Sequence, residues 1–440
     1  MEKLTLTEIA EYTNGKQVGN AMISNISIDS REIGENCLFI GVKGDKFDGN
    51  DFVDVAVTNG AKAVLTIKDV CNVPQVKVAD SNKALLEMAK GYKGKMRHLK
   101  TVAVTGSAGK TTTKEMIHSV LCEMGETHKN KGNLNNHIGV PLTLFGLHKK
   151  HEYAVIEMGM NHKGEIKVLS DTVCPDLAVI TNIGISHIEY LGSREGILNA
   201  KLEILSGLKG KIILNGDEPL LRDIKIKNDV IYFGLESENL DITCKNIEEF
   251  EDYTQFTAIC FGRELDIKIN ALGKHNVINA LAAIAVANEF SATDEQIKRG
   301  LYAFENTGMR QNIFEYNGYK VIEDCYNASP DSCKAALSVL EKTKANKKIA
   351  VLGAMGELGN FSNEAHKAVL AQALKSADLI CLFGDAWRKV EVFDAKIYDN
   401  KQVLALELSQ KIKEGDAVLF KGSRAQKMEE VLKLLMNEEK

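Results

Sequence analysis

Residues 101–121, TVAVTGSAGKTTTKEMIHSVL, decide the fold, because a β-branched run passes through a glycine turn straight into a helix. Residues 101–105 read as a buried strand, and from about Gly109 the apolar positions Met116, Ile117, Val120 and Leu121 share one helical face. Glycines in such a turn let backbone N–H groups and the positive end of the helix gather around phosphate oxygens, with Lys110 as the cation and the Thr111 hydroxyl as a magnesium ligand. Only Ser107 and Ala108 separate Gly106 from Gly109, so the loop is shorter than the standard GxxxxGK[ST] pattern. The bland alternative is a plain strand-to-helix turn. A Gly-Lys-Thr opening a helix behind an apolar strand favours instead an ATP site made by Gly106, Ser107, Ala108, Gly109, Lys110, Thr111 and Thr112.

Outward from this loop the pattern alternates. Strands are predicted at 153–157, 177–183 and 211–215 and a helix near 194–208, which implies a mainly parallel sheet covered by helices. Residues 240–271 read as antiparallel strands, followed by the Ala-rich helix NVINALAAIAVANEF. Before the loop, CLFIGV at 37–42 and AKAVLTI at 61–67 lie among Gly- and Asp-rich turns and form a small α/β domain. The basic, two-glycine stretch AKGYKGKMRHLK that follows has little apolar periodicity and reads as a boundary. Beyond Met309, strand YKVIED, helix 331–342, strand KIAVLG, helix 362–375 and strands ADLICLFG and DAVLFKG make a second α/β unit of Rossmann type. The fold class is therefore α/β in three domains: 1–98, 99–308 and 309–440.

A chain of 440 residues exceeds what one core usually supports, in keeping with that division. Its net charge of −5 excludes a broad nucleic-acid or anionic-membrane surface but leaves room for a local basic pocket. Nine cysteines, an odd number with no CxxC, point to reduced thiols. The N-terminus lacks a signal-peptide core and no stretch is apolar enough to span a bilayer. A cytoplasmic protein is expected, without nucleic-acid partner or membrane insertion, and working as a monomer.

In a parallel α/β sheet ligands collect at the carboxyl ends of the strands. Thr111, Glu157 and His187 each follow a strand there and together suit magnesium beside ATP phosphates. Singly, Glu157 also reads as a helix-cap partner and His187 as a loop histidine. Lys201 stands within the apolar stripe Ile197, Leu198, Leu202, Leu205 and Leu208. It either snorkels, its stem covering apolar surface, or faces the metal site.

Together TGSAGKTTTKE, VIEMGM, NIGISHIEYLGSREGILNAKLEI and GKHNVINALAAIAVA resemble the Mur ligase family, ATP-dependent enzymes that join amino acids or peptides to a UDP-linked muramyl precursor. The family's short G-x-x-G-K-T loop matches the spacing above. NKGNLNNHIGVPLTL, EDCYNASPDS, LGAMGELG and KGSRAQKMEEVL resemble the branch that adds D-alanyl-D-alanine, while the DNPR-type signature of the diaminopimelate-adding branch is absent. DSREIGENCLFIGVKGDKFDGNDF resembles the uridine-nucleotide domain, so the likeness spans essentially the whole chain. Asn50 stands where a histidine is usual and Ser329 where an asparagine is usual.

The resemblance implies a small N-terminal uridine-nucleotide domain, a central ATPase domain and a C-terminal Rossmann-like domain. It implies ATP and Mg2+ as cofactors, with UDP-N-acetylmuramoyl-tripeptide and D-alanyl-D-alanine as substrates joined through an acyl phosphate. Lys110, Lys201, His187 and Arg310 are the implied catalytic residues. Thr111, Glu157, His187 and, if carbamylated, Lys201 would hold metal. Asn276 and Asn279 fall to the adenine side, Arg310 to phosphate and Asp324 to ribose. Ser30 and Arg31 would meet the uridine end, and Asn135, Asn136, Tyr326 and Asn327 the remainder of the substrate. Asp324 and Asn327 also suit a simple turn before Pro330. Another Mur-type or folylpolyglutamate-type ligase is the alternative within the class, and a nucleotide-driven switch the alternative outside it.

Overall fold

The structure, a computed structural model, describes residues 1–70, 72–392 and 394–436. Three sheets organise it. The central sheet has nine strands, and its phosphate-loop strand Lys100–Thr105 lies between Tyr153–Glu157 and Leu177–Ile180, both parallel to it. Successive connections leave this strand toward opposite edges, so a crevice opens at its carboxyl end. Ile212–Asn215, Val230–Phe233 and Ile242–Glu249 continue the parallel order, and Thr254–Cys260 and Arg263–Ile269 close it with antiparallel pairs. Helix Lys274–Glu289 packs on helix Lys110–Cys122; eleven of its residues from Asn276 to Ala287 are buried, and the small alanines allow that close approach.

The C-terminal sheet has six strands, a hairpin Asn312–Tyr316/Tyr319–Asp324 leading into a parallel run with Ala417–Lys421, Lys348–Gly353, Leu379–Phe383 and Lys396–Tyr398. The N-terminal sheet has five, including Cys37–Ile40 and Ala63–Thr66. All three are α/β, as expected.

Three local expectations are corrected. The stretch read as a boundary is the second half of helix Ser81–Gly94 and its exit. Gly91 is required there by packing: a Cβ would lie 2.4 Å from the Tyr12 ring. Strand 177–183 stops at Ile180, since Thr181 and Asn182 turn to bind the phosphate loop. The helix expected over 194–208 ends at Leu202 and tightens into a 3-10 turn, Glu203–Ser206. Its fully buried side is therefore Ile197, Ala200, Lys201 and Ile204 rather than the leucine stripe, whose members are only half-buried.

The two seams between sheets differ in chemistry. One apolar cluster runs without a break from Leu4 in the N-terminal unit to Leu221 in the central unit. Within it the buried Tyr92 hydroxyl donates to the Leu147 carbonyl at 2.6 Å and accepts from the Glu2 amide at 2.6 Å. Beside it Lys93 Nζ donates to the carbonyls of Val173 and Cys174 at 2.5 and 3.1 Å, capping helix Glu165–Val173. Burial pushes that ammonium down to about 8. The C-terminal unit instead has its own clusters on the two faces of its sheet, joined from the central unit by Leu272 and Ile185. Its other ties are polar: Lys342 to Glu249 at 2.7 Å, Lys320 to Glu251 at 2.8 Å, and Asn276 to Gln311 at 2.6 Å.

Candidate active site

Strand Lys100–Thr105 delivers the chain into a loop whose glycines are sterically required. A Cβ on Gly106 would lie 1.8 Å from Thr181 Oγ1, and one on Gly109, at φ 78°, 2.7 Å from Asn279 Oδ1. Thr181 Oγ1 donates to the Ala108 carbonyl at 2.5 Å, and Asn182 Oδ1 accepts from the amides of Ser107 and Ala108 at 3.0 and 2.9 Å. These contacts fix the loop while leaving helix Lys110–Cys122 with no side-chain cap. Its first-turn amides are thus a ready anion site.

Above the loop is a cavity of about 380 Å³. Every loop residue from Gly106 to Thr112 lines it, together with Asn135, Glu157, His187, Lys201, Asn276, Asn279, Arg310, Asp324, Tyr326 and Asn327. Ser30, Arg31 and Asn136 lie outside it. Asn136 Oδ1 instead accepts from the amides of Ile138 and Gly139. Ser30 is buried in the N-terminal unit, where its carbonyl accepts from Asn59, and the exposed Arg31 pairs with Asp29 at 2.6 Å.

Thr111 Oγ1 donates to Glu157 Oε2 at 2.8 Å and Asn135 Nδ2 to Glu157 Oε1 at 2.9 Å, so the carboxylate is oriented from two sides. Lys110 Nζ donates to the Gly106 carbonyl at 2.8 Å. Burial lowers its basicity, Glu157 opposes this, and Arg310 lowers it further. Lys201 is 1% exposed. Burial, with the Lys110 charge beyond it, holds its amine well below the usual lysine range, and among the described residues it has no hydrogen-bond or ion-pair partner. It does not snorkel to open solvent; it lines the cavity.

The far wall comes from the C-terminal unit. The Arg310 guanidinium sits 4.0 Å from the Tyr326 ring centre, and Asp324 pairs with the buried Lys421 at 2.6 Å. His187 Nδ1 lies 2.5 Å from Glu357 Oε2 across the seam, and this neighbour holds the Glu357 carboxyl below its ordinary range against the effect of burial. Asn276 Nδ2 donates to the Leu272 carbonyl, and Asn279 bridges Asn276 Oδ1 to Thr113, so both amides are fixed at the helix start. Lys110, Arg310 and Lys421 face Glu157, Asp324 and Asp331 around the cavity, and the uncapped first-turn amides of helix Lys110–Cys122 add the preference for an anion.

Sequence reasoning missed Thr181, Asn182, Lys421 and Glu357. Asn182 carried the same signal as Glu157, a polar residue just past a strand end. Glu357 carried only its place between Gly356 and Gly359, a turn just past a strand; its φ of 60° is visible in the structure alone. Ser329, in place of the usual asparagine, caps helix Pro330–Lys342 in a reciprocal pair with Ser332 and lines the cavity. Asn50, in place of the usual histidine, is buried: it donates to Asp48 and Ser81 and accepts from Thr66 and the Ile67 amide.

Three stretches match known families: residues 22–93 the Mur ligase family, catalytic domain; 104–287 the Mur ligase middle domain; and 309–424 the Mur ligase, glutamate ligase domain. The chain is 40% identical to the UDP-N-acetylmuramoyl-tripeptide--D-alanyl-D-alanine ligase of Bacillus subtilis (strain 168), covering 99% of both chains. It superposes on a crystal structure of MurF from Acinetobacter baumannii with a TM-score of 0.93 and 31% identity, covering 100% of each. MurF ligase from Thermotoga maritima in complex with ADP gives 0.87 at 31% identity, covering 94% of this chain and 97% of that one.

Proposed function

The chain belongs to the Mur ligase family, and on that premise we propose that it joins D-alanyl-D-alanine to UDP-N-acetylmuramoyl-tripeptide with ATP, giving the pentapeptide precursor of peptidoglycan, ADP and phosphate. The observation that carries this reading is the cavity itself, where a phosphate loop on one unit and Arg310 and Asp324 on another face the same space.

The carboxylate of the tripeptide attacks the γ-phosphorus, the bond to the β–γ bridging oxygen breaks, and ADP leaves. The dipeptide amine then attacks the acyl carbon, phosphate departs and the amine proton is lost. A carboxylate resists nucleophiles and oxide is a poor leaving group; phosphorylation removes both obstacles. Lys110 and Arg310 balance charge on the phosphoryl group from opposite walls, which is catalysis by positioning and electrostatics. Asn276 and Asn279 are assigned to the adenine side, Asp324 to ribose, Asn135, Tyr326 and Asn327 to the muramyl-peptide, and Ser30 and Arg31 to the uridine end. Asn136 supports the neighbouring helix start. By this division 1–98 binds the nucleotide end, 99–308 carries the ATP chemistry and 309–440 closes over it.

The Thr111 hydroxyl and Glu157 carboxylate, 2.8 Å apart at the cavity wall, are the hard oxygen donors that magnesium takes. His187 and a carbamylated Lys201 are the further ligands we assign. When bound, the ion neutralises charge on the phosphates. Thr111 and Glu157, with His187, would hold the ion together with oxygens of the nucleotide phosphates. An unpartnered lysine at 1% exposure supports the carbamate, since a neutral amine reacts with carbon dioxide and the product is an acceptor-only anion. Lys201→Ala is expected to lose most activity and to regain part of it with short carboxylic acids; near-normal activity without them removes Lys201 from the site.

Among the described residues no helix is long and apolar enough to cross a membrane, and a cytoplasmic monomer is the form we propose. The deciding experiment measures ADP and amide product with ATP and each acceptor and donor in turn. ADP release is expected only with both a muramyl-tripeptide and D-alanyl-D-alanine. Equal release with ATP alone marks a switch, and a preference for glutamate or a single amino acid marks another ligase.

A further inference from the structure

Lys114 stands one turn beyond Lys110 on the phosphate-loop helix, yet it is only 1% exposed. Burying an ammonium is costly unless it is partnered. Its Nζ donates to the Asn130 carbonyl at 3.2 Å and lies 3.1 Å from Glu115 Oε1 and 3.7 Å from Glu157 Oε2. Glu115 is also paired with Lys129; burial would raise its carboxyl, but Lys129 and Lys114 hold it low. Two lysines and two glutamates therefore form a closed, neutral group. Within it Lys129 pairs with Glu115 alone, whereas Lys114 lies between the two carboxylates, 3.1 Å from Glu115 and 3.7 Å from Glu157, and among the described residues is the cation within ion-pair distance of Glu157. The other two groups on the Glu157 oxygens, Thr111 and Asn135, are neutral donors.

We propose that Lys114 is the built-in counter-charge of Glu157, and that it makes divalent-metal binding at Thr111 and Glu157 conditional on nucleotide. This rests on the reading of Glu157 as a magnesium ligand. A dication approaching alone meets a carboxylate already balanced from behind, with Lys110 and Arg310 lining the same cavity. A dication carried on a triphosphate brings its own negative charge and is admitted. Lys114 is thus a positioning residue: it touches neither phosphate loop nor cavity, and acts through Glu157.

The test titrates the full-length protein with Mn2+, followed by the electron paramagnetic resonance of the free ion, with and without ADP. Wild type is expected to bind Mn2+ weakly without ADP. Lys114→Met should gain roughly tenfold or more in nucleotide-free Mn2+ affinity as one compensating charge is lost, Lys114→Arg should not, and adding Glu157→Gln to Lys114→Met should abolish the gain. A purely structural lysine moves none of these. Equal Mn2+ affinity in wild type and Lys114→Met overturns the proposal, as does a gain that survives Glu157→Gln. If Lys114→Met fails to fold, wild type decides, because a nucleotide-free site as tight as the ADP-dependent one refutes conditional binding. Glu157→Gln alone tests the underlying reading, which fails if Mn2+ binding with ADP is unchanged.

Discussion

The seam between the N-terminal and central sheets is a core, whereas the seam between the central and C-terminal sheets combines the apolar links Leu272 and Ile185 with a set of polar ties. Tyr92 and Lys93 lie inside continuous apolar packing at the first. At the second, ion pairs such as Lys342 with Glu249 and Lys320 with Glu251 sit at or near the surface. Close-packed interfaces resist sliding, while exposed ion pairs exchange readily with water. The N-terminal unit is therefore held firmly on the phosphate-loop unit, and on the proposed reading the opposite wall of the cavity is the one that swings. On that reading the division of ATP contacts between two units has a purpose, because closure would assemble the charges and exclude water from the acyl phosphate.

The strongest way to break this contrast is at Tyr92. Tyr92→Ala removes a fully buried ring and both of its hydrogen bonds, and should cost about 3–5 kcal/mol of stability in denaturant unfolding. A loss under about 1 kcal/mol would mean that the first seam is no core. Arg310→Ala should do the reverse, slowing single-turnover phosphoryl transfer about a hundredfold, near 3 kcal/mol, with the melting midpoint unmoved. Lys110→Ala, on the facing wall, should be at least as severe. Wild-type rates in Arg310→Ala would show that the mobile wall contributes nothing to the chemistry. The smallest effect sharpens the picture: Glu249→Gln with Glu251→Gln removes two pairs that each keep one well-exposed partner, worth about 1 kcal/mol each. The KM for ATP is expected to rise a few-fold at low salt, with the difference vanishing near 0.5 M salt, roughly where screening acts within a pair. A salt-independent change would make the second seam something other than a surface latch.

Much of this was legible in the sequence because strand–helix alternation and the glycine turn are local signals. The loop, the strands at 153–157 and 348–353 and the helix after Gly273 all stand where periodicity put them. What escaped was set by contacts distant in sequence. Gly91 looked like a linker residue because Tyr12, the ring it accommodates, is far away along the chain. The helix after Arg194 tightened after Leu202, beyond what a 3.6-residue period can announce. Lys114 drew no reading at all, since only tertiary packing brings Glu157 and the Asn130 carbonyl to it. The fold was thus readable from nearest neighbours, and the phosphate loop with it. The wall built by Asp324, Tyr326 and Lys421 required the third dimension.

The uninterrupted cluster from Leu4 to Leu221 also sets an order of events during synthesis. The first sheet leaves the ribosome early, but the Leu147 carbonyl that receives the Tyr92 hydroxyl, and the Val173 carbonyl that receives Lys93, emerge later. At bacterial elongation rates of about 20 residues per second the wait to Leu221 is several seconds. Through that interval the apolar face destined for the first seam has no partner to bury it. The C-terminal unit, whose two clusters draw only Leu272 and Ile185 from the central unit among the described residues, depends on far fewer such contacts.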